Sequence, residues 1–263
     1  MTSILVTGGA GFIGSHTCLS LLEKKYNLYV IDSFVNSSDE SLKRIIKIIG
    51  YQKKSNIHLF KGDLKDKSVI DLTFKKARDN GDTISGVIHF AGFKSVNESI
   101  YNPLIYWENN LGSSINLLKS MKENDCKTII FSSSATIYSQ GNKKLIKEDF
   151  PLKPSNPYGN TKLTIEKILN DIFLSNPNEW RICNLRYFNP IGAHSSGLIG
   201  EDPIGEPNNI FPILLRVASK KISEFNIFGN NWETYDGTCV RDYIHVMDLA
   251  EGHLLAMEFL LKE

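Results

Sequence analysis

The sequence predicts an α/β fold, a doubly wound parallel sheet of Rossmann type with a smaller, incomplete C-terminal substrate lobe. Short β-branched runs alternate with longer amphipathic runs from the first residue onward, the rhythm of strands joined by crossover helices. The short runs lack polar alternation, as strands buried on both faces do. The first of them also empties into a Gly-rich turn and then directly into a helix.

The predicted strands are Ser3–Thr7, Leu28–Asp32, Ile57–Lys61, Gly86–Ala91, Thr128–Ser132 and Arg181–Tyr187. Helices are predicted over Ile13–Lys24, Asp39–Ile49, Ser68–Asp79, Pro103–Glu123 and Pro157–Ser175, several opened by Ser, Asp or Pro, which suit a first helical turn. After Asn189 the texture turns to Gly, Pro, Ser and Asn (PIGAHSSGLIGEDPIGEPNN), the composition of a functional loop. A helix over Phe211–Lys220, a short strand near Phe225–Gly229 and a helix over Val246–Leu261 complete the reading. Residues 1–189 are expected to form the dinucleotide domain, with 240–263 packing back on it and 190–239 forming part of the substrate lobe.

The 263 residues are 41% hydrophobic and 22% charged, enough to bury a large core and unlike disordered, collagenous or coiled-coil chains. The formal charge is +1, and the pairs Lys53/Lys54, Lys143/Lys144 and Lys220/Lys221 are scattered, so nucleic-acid binding has no electrostatic support. No apolar run approaches the ~20 residues that span a bilayer, and MTSILVTGG reaches its Gly turn too soon for a secretory segment. A soluble, cytoplasmic protein without membrane partners is expected. Cys18, Cys126, Cys183 and Cys239 are widely spaced, which suggests neither a disulfide framework nor a metal site.

Thr7-Gly8-Gly9-Ala10-Gly11-Phe12-Ile13-Gly14 places glycines where a chain turns tightly, approaches a pyrophosphate and packs helix on strand. Alone, such a run also fits an ordinary tight turn. The second strand, however, ends at Asp32, close to the roughly 20 residues expected before the carboxylate that accepts hydrogen bonds from an adenosine ribose. An acid there favours NAD over NADP, because a 2′-phosphate meets like charge. Asp63, ending the third strand, suits either an adenine contact or a simple turn.

Tyr158-Gly159-Asn160-Thr161-Lys162 opens a helix, and i to i+4 spacing sets phenol and ammonium on one face. Moving a phenol pKa from ~10 to ~7 takes roughly 4 kcal/mol. A cation ~5 Å away at an effective dielectric of ~20 supplies roughly 3, and a charged nicotinamide the remainder. Such a pair also occurs on exposed helices by chance. Here the fifth strand delivers Phe131-Ser132-Ser133-Ser134 to the same sheet edge, where a Ser134 hydroxyl either caps a strand end or holds a substrate oxygen whose proton Tyr158 removes. Together these residues describe hydride transfer between a secondary alcohol carbon and NAD. His89, inside Val87-Ile88-His89-Phe90-Ala91, reads as a satisfied core residue.

VTGGAGFIGSHT (6–17), VIHFAGFKSVNES (87–99), FSSSATIY (131–138), PYGNTK (157–162), RYFNPIGAH with SSGLIGEDPIGEPNN (186–209) and DGTCVRDYIHVMDLAEGH (236–253) resemble the extended short-chain dehydrogenase/reductase family, and its nucleotide-sugar epimerases in particular. The resemblance implies that Tyr158 removes the sugar 4′-hydroxyl proton while C4 gives hydride to tightly held NAD. The 4-ketose then turns and takes the hydride back on its other face, interconverting UDP-glucose and UDP-galactose. Lys162 tunes Tyr158, and Ser134 assists the oxygen. The cofactor positions implied are Gly8, Gly11, Phe12, Ile13, Gly14, Asp32, Asn36, Asp63, Leu64, Phe90, Ala91, Lys94, Asn109 and Phe188, with Tyr158 and Lys162. The substrate positions are Asn189, Asn209 and Arg241, with Ser134 and Tyr158, and a homodimer joined through the helices near 103–123 and 157–175 is also implied.

Two departures stand out. Ser139 occupies a position where the family usually has Gly. Family members also continue past the position of Glu263 into the rest of the substrate lobe, so the expectation is NAD binding with feeble epimerisation by this form. A dehydratase of the same family uses an acidic pair just after the catalytic hydroxyl, where this chain has Ala135 and Thr136. A uronate decarboxylase shares the fold but is not what RYFNPIGAH and GEDPIGEPNN resemble. A non-catalytic NAD-binding relic is the alternative from a different class.

Overall fold

The computed structural model describes residues 2–51, 56–139, 145–207 and 209–262; the Lys53/Lys54 and Lys143/Lys144 pairs lie outside them. Six strands, β1 (Ser3–Thr7), β2 (Asn27–Asp32), β3 (Ile57–Lys61), β4 (Ile84–His89), β5 (Thr128–Ser134) and β6 (Arg181–Tyr187), form one sheet in the order β3-β2-β1-β4-β5-β6. Every pairing is parallel. Parallel neighbours need crossovers, and these are the helices α1 (Phe12–Glu23), α2 (Glu40–Ile49), α3 (Lys67–Asp79), α4 (Val96–Tyr101), α5 (Pro103–Glu123) and α6 (Pro157–Ser175).

Strand side chains alternate between two cores. Leu5, Tyr29, Val87, Ile129 and Phe131 pack with α3, α5 and α6 residues such as Phe74, Leu117 and Ile165. Ile4, Val6, Val30, Ile88 and Ile130 pack on the other face with Leu19 and Leu22 of α1 and Leu254 and Met257 of α8 (Val246–Leu260). Helix α8 thus returns the last described residues to the sheet, beside α1. Gly86 in β4 makes room for it, since a Cβ there would meet the Met257 sulfur at 2.8 Å.

Several boundaries and four elements differ from the sequence reading. Strand β4 ends at His89, after which Phe90 N donates to the Thr7 carbonyl (3.0 Å), and β5 continues two residues further, to Ser134. Phe225–Gly229 is not a strand: among the described residues its backbone joins no ladder, and Ile227 and Phe228 are exposed. Strands β7 (Asn189–Ile191) and β8 (Tyr243–His245) instead form a short parallel ribbon. At three residues each and far apart in sequence, neither shows a period to read. Helices α4 and α7 (Ile210–Ala218) complete the elements, α4 being too short for a periodic signal. The outer strand β3 is half exposed, as an edge strand is, with Leu59 open on one face. No helix among the described residues is long and apolar enough to cross a membrane. Nor, among those residues, does any group of His, Cys, Asp or Glu fit a metal ion.

Three histidines are buried, His16, His89 and His253, and burial lowers the pKa of each, most at the last two. His89 bonds through Nδ1 to Thr7 Oγ1 (2.7 Å) and through Nε2 to Ser114 Oγ (3.0 Å), and burial holds its pKa down to about 3. His253 on α8 bonds through Nδ1 to the Leu249 carbonyl and is held down to about 4, also by burial. Both pKa values lie below the ordinary 6.5, so the unfolded chain binds more protons and stability falls as pH drops below that value. At pH 5 each of these two histidines is expected to remove about 2 kcal/mol relative to pH 8. Urea unfolding at the two pH values measures this, and His253→Phe should shrink the difference by about 2 kcal/mol.

Candidate active site

The strand order reverses at β1, between β2 and β4, and the carboxyl ends of the strands open a crevice there. Gly8 turns out of β1 with φ +70, and a Cβ on it would lie 2.8 Å from the Ala91 amide nitrogen. A Cβ on Gly14 would lie 2.2 Å from the Gly8 carbonyl oxygen. The two glycines therefore bring α1 against the end of β1. Gly11 caps that helix in extended conformation, and no side chain satisfies the first amides, which leaves the backbone of Phe12 and Ile13 to an anion. These are features a pyrophosphate fits.

Asp32, nearly buried at the end of β2, accepts from Ala10 N (2.9 Å) through one oxygen and from Phe34 N (2.9 Å) and Ser37 Oγ (2.8 Å) through the other. These bonds fix the carboxylate at the rim of the Gly turn, with lone pairs left for a ribose. Asn36 lies exposed in the following loop. Asp63 accepts from Lys65 N (2.9 Å) and so organises its own turn, whereas the Leu64 side chain belongs to the core. The Phe90 ring lies tilted 4.7 Å from that of His253, Ala91 abuts Gly8, and Phe188 is exposed just past β6.

At the far side of the crevice α6 begins at Pro157, with Asn156 capping it through Gly159 N (2.8 Å). Tyr158 and Lys162 are both buried. The Lys162 ammonium donates to the Ser132 carbonyl (2.7 Å), sits 4.8 Å from the centre of the Phe131 ring and 5.8 Å from that of Tyr158. Burial lowers its pKa to about 8, with Glu166 opposing the fall. The same burial raises the Tyr158 phenol, and a hydrogen bond with Ser134 offsets part of the rise. Desolvation is the largest influence on this phenol and works against the phenolate, which the Lys162 cation and a nicotinamide charge would favour. Ser134 accepts from Thr136 N (3.2 Å) and Thr136 Oγ1 (3.0 Å), and no carboxylate occupies the two positions after it.

The remaining predicted residues stand apart from this group. Lys94 pairs loosely with Glu201 (3.7 Å), to which Asn209 also donates (3.0 Å). Asn189 donates to the Asp242 carbonyl (3.1 Å), and the exposed Arg241 donates to the Val240 carbonyl (2.8 Å). Among the described residues, none of Asn189, Asn209 and Arg241 bonds to Tyr158, Lys162 or Ser134. Asn109 is half-buried, and it is its neighbour Asn110, missed by the sequence reading, that forms a buried network. Asn110 accepts from Phe93 N (2.8 Å) and donates to Thr161 Oγ1 (3.0 Å), which in turn bonds the Tyr158 carbonyl (2.7 Å). Inside the NN pair only helical phase tells which residue faces inward. Ser139 lies outside the residues with positive φ, so its side chain carries no strain where Gly is customary.

The model of the NAD dependent epimerase/dehydratase family matches residues 4–262. The chain belongs to that family. It is 49% identical, over 98% of its own length and 74% of the relative's, to the UDP-glucose 4-epimerase of Bacillus subtilis (strain 168). It is 48% identical, over 97% and 71%, to bifunctional UDP-glucose 4-epimerase and UDP-xylose 4-epimerase 1 of Pisum sativum. Among solved structures it resembles the UDP-glucose 4-epimerase of Bifidobacterium longum in complex with NAD+ and UDP, with TM-score 0.89, 44% identity and coverage of 98% and 74%.

NAD dependence and the contact at Gly14 together make a prediction. Gly14→Ala drives a Cβ onto a backbone carbonyl, which no rotamer relieves. The variant is expected to purify with bound NAD reduced at least about tenfold if the helix must retreat by a few tenths of an ångström, as read from cofactor released on denaturation.

Proposed function

We propose that the chain interconverts UDP-glucose and UDP-galactose by transient NAD-mediated oxidation at C4 of the sugar. The observation that carries the reading is a buried phenol, ammonium and hydroxyl at one sheet edge, facing an uncapped helix start behind a glycine turn, in a chain about half identical to proteins named UDP-glucose 4-epimerase.

In this reading the Tyr158 phenolate, stabilised by the Lys162 cation, takes the proton of the 4′-hydroxyl, and Ser134 holds the 4′-oxygen. The backbone of Phe12 and Ile13, enclosed by Gly8, Gly11 and Gly14, holds the pyrophosphate, and Asp32 holds the adenosine ribose. Asn36, Asp63, Leu64, Phe90, Ala91, Lys94, Asn109 and Phe188 complete the envelope of the cofactor. Bound NAD would supply the acceptor and donor of the hydride, a chemistry with no net oxidation. Tyr158 gives the proton back once the 4-ketose has presented its other face. The lobe at 190–239 and Arg241 take the nucleotide: Asn189 and Asn209 offer amides, and the Arg241 guanidinium suits a diphosphate. Residues 1–189 and 240–263 make up the cofactor domain.

The family resemblance further supports a homodimer through α5 and α6, whose exposed Leu104, Ile105, Phe173 and Leu174 suit such a contact. The unpaired cysteines, Cys18 and Cys126 among them buried, suit a reducing cytoplasm.

The test is a coupled assay of the purified chain with UDP-galactose, scoring UDP-glucose and the NAD that copurifies. Product supports the reading; bound NAD without product refutes it in favour of a non-catalytic binder. Tyr158→Phe is expected to retain NAD and lose about 10²–10⁴ in kcat. Activity within about tenfold of the parent removes Tyr158 from the role of base.

A further inference from the structure

A buried carboxylate next to the reacting group has no part in the mechanism above. Glu166 is 5% exposed and lies one helical turn beyond Lys162 on α6, so that Tyr158, Lys162 and Glu166 follow one another at i, i+4 and i+8. Its Oε1 accepts from Ser133 Oγ (2.5 Å) and from Arg186 Nε (3.0 Å), and its Oε2 accepts from Arg186 Nη2 (2.7 Å). Arg186 stands opposite Ser133 in the β5–β6 ladder. Its Nη1 donates to the Tyr138 hydroxyl (3.0 Å) and to the Glu148 carbonyl (3.1 Å). One carboxylate therefore ties α6 to the ends of β5 and β6 and to the turn that follows Ser134.

Holding Ser133 down on α6 fixes the last residues of β5, and the next of them, Ser134, hydrogen-bonds Tyr158 at the start of the same helix. We propose that Glu166 is a positioning residue of the active site, which through Ser133 and Arg186 sets Ser134 against Tyr158 and Lys162. The inference rests on the reading of those three side chains as the reacting group.

The charge of Glu166 also acts on Lys162. The groups facing that ammonium are Tyr158 and Glu166 on α6, neutral His89 on β4, and the Phe131 ring and Ser132 carbonyl on β5. From β6, Tyr187 faces Tyr158, and Arg186 is held by Glu166. Glu166 is the carboxylate in this set, and it holds Lys162 up against burial. Neutralising it leaves the Arg186 cation unpaired nearby, so Lys162 should lose its proton at lower pH.

The experiment uses the full chain with its bound NAD, comparing the parent with Glu166→Gln, Ser133→Ala and Tyr158→Phe. NAD content and Tm are recorded for each variant, with kcat and KM for UDP-galactose, and Lys162 titration is followed by NMR of chains carrying 13Cε-lysine. Glu166→Gln is expected to keep its NAD, lose about tenfold or more in kcat with KM within about threefold, and lower the Lys162 titration by about half a pH unit or more. Ser133→Ala, which leaves the ion pair in place, is expected to lower kcat by about threefold or more with the Lys162 titration unmoved. Both variants within about twofold of parental kcat with NAD retained overturn the proposal, as does loss of kcat only in proportion to loss of NAD. If Glu166→Gln does not fold, Ser133→Ala decides. Near-parental activity of Tyr158→Phe marks failure of the underlying reading, and the Lys162 titration, which needs no turnover, then decides for or against the Glu166 link.

Discussion

The contact between Gly8, Gly14 and Ala91 is the constraint on which the site depends. Three backbones meet there with no space for a side chain: the end of β1, the first turn of α1 and the chain leaving β4. Their approach aims the helix start, with its unmatched amides and positive dipole end, into the crevice at the switch point of the sheet. Asp32 belongs to the same knot, since its bond to Ala10 N fastens the end of β2 to the Gly turn. Any movement of α1 away from β1 would therefore displace the candidate pyrophosphate and ribose positions together.

On the other side of the crevice the organising feature is charge taken out of water. A buried ammonium, a buried carboxylate and a half-buried guanidinium lie within one stretch of α6 and the strands beneath it. Desolvating such groups is costly, and apolar replacements of similar shape often serve stability as well or better. What the polar set supplies instead is direction. Lys162 is aimed by the Ser132 carbonyl, Glu166 by Ser133 and Arg186, and the start of α6 by the Asn110 and Thr161 network. A site whose chemistry needs a proton acceptor inside a dry pocket accepts that stability cost for preorganisation.

Much of the fold could be read from the chain because parallel, doubly covered strands carry a strong local signal. β1, β3 and β6 begin and end where their β-branched runs do, as α5 and α6 do from their opening prolines to their last apolar turn. The Gly turn, Asp32, Ser134, Tyr158 and Lys162 were legible because each sits at a fixed offset from such an element. The ribbon of β7 and β8 was not, since three residues show no period and its partners are distant in sequence. Nor was the Phe225–Gly229 region, whose apolar residues look like a strand until the missing ladder partner is considered. The choice between Asn109 and Asn110 depended on helical phase against a neighbouring loop, and Asp63 on whether its carboxylate faced outward or back to Lys65.

The sequence by itself determined the class of fold, the glycine cradle and the phenol–lysine pair, because periodicity, turn chemistry and i,i+4 spacing act over a few residues. Only the tertiary structure decided the electrostatics of that pair. The depth at which α6 lies against β5 lets burial raise Tyr158 and bring Lys162 to about 8, and Glu166 meets Ser133 and Arg186 only once three elements have packed. Desolvation and contacts between distant segments depend on the packed volume around a group, and no local pattern of residues encodes that volume.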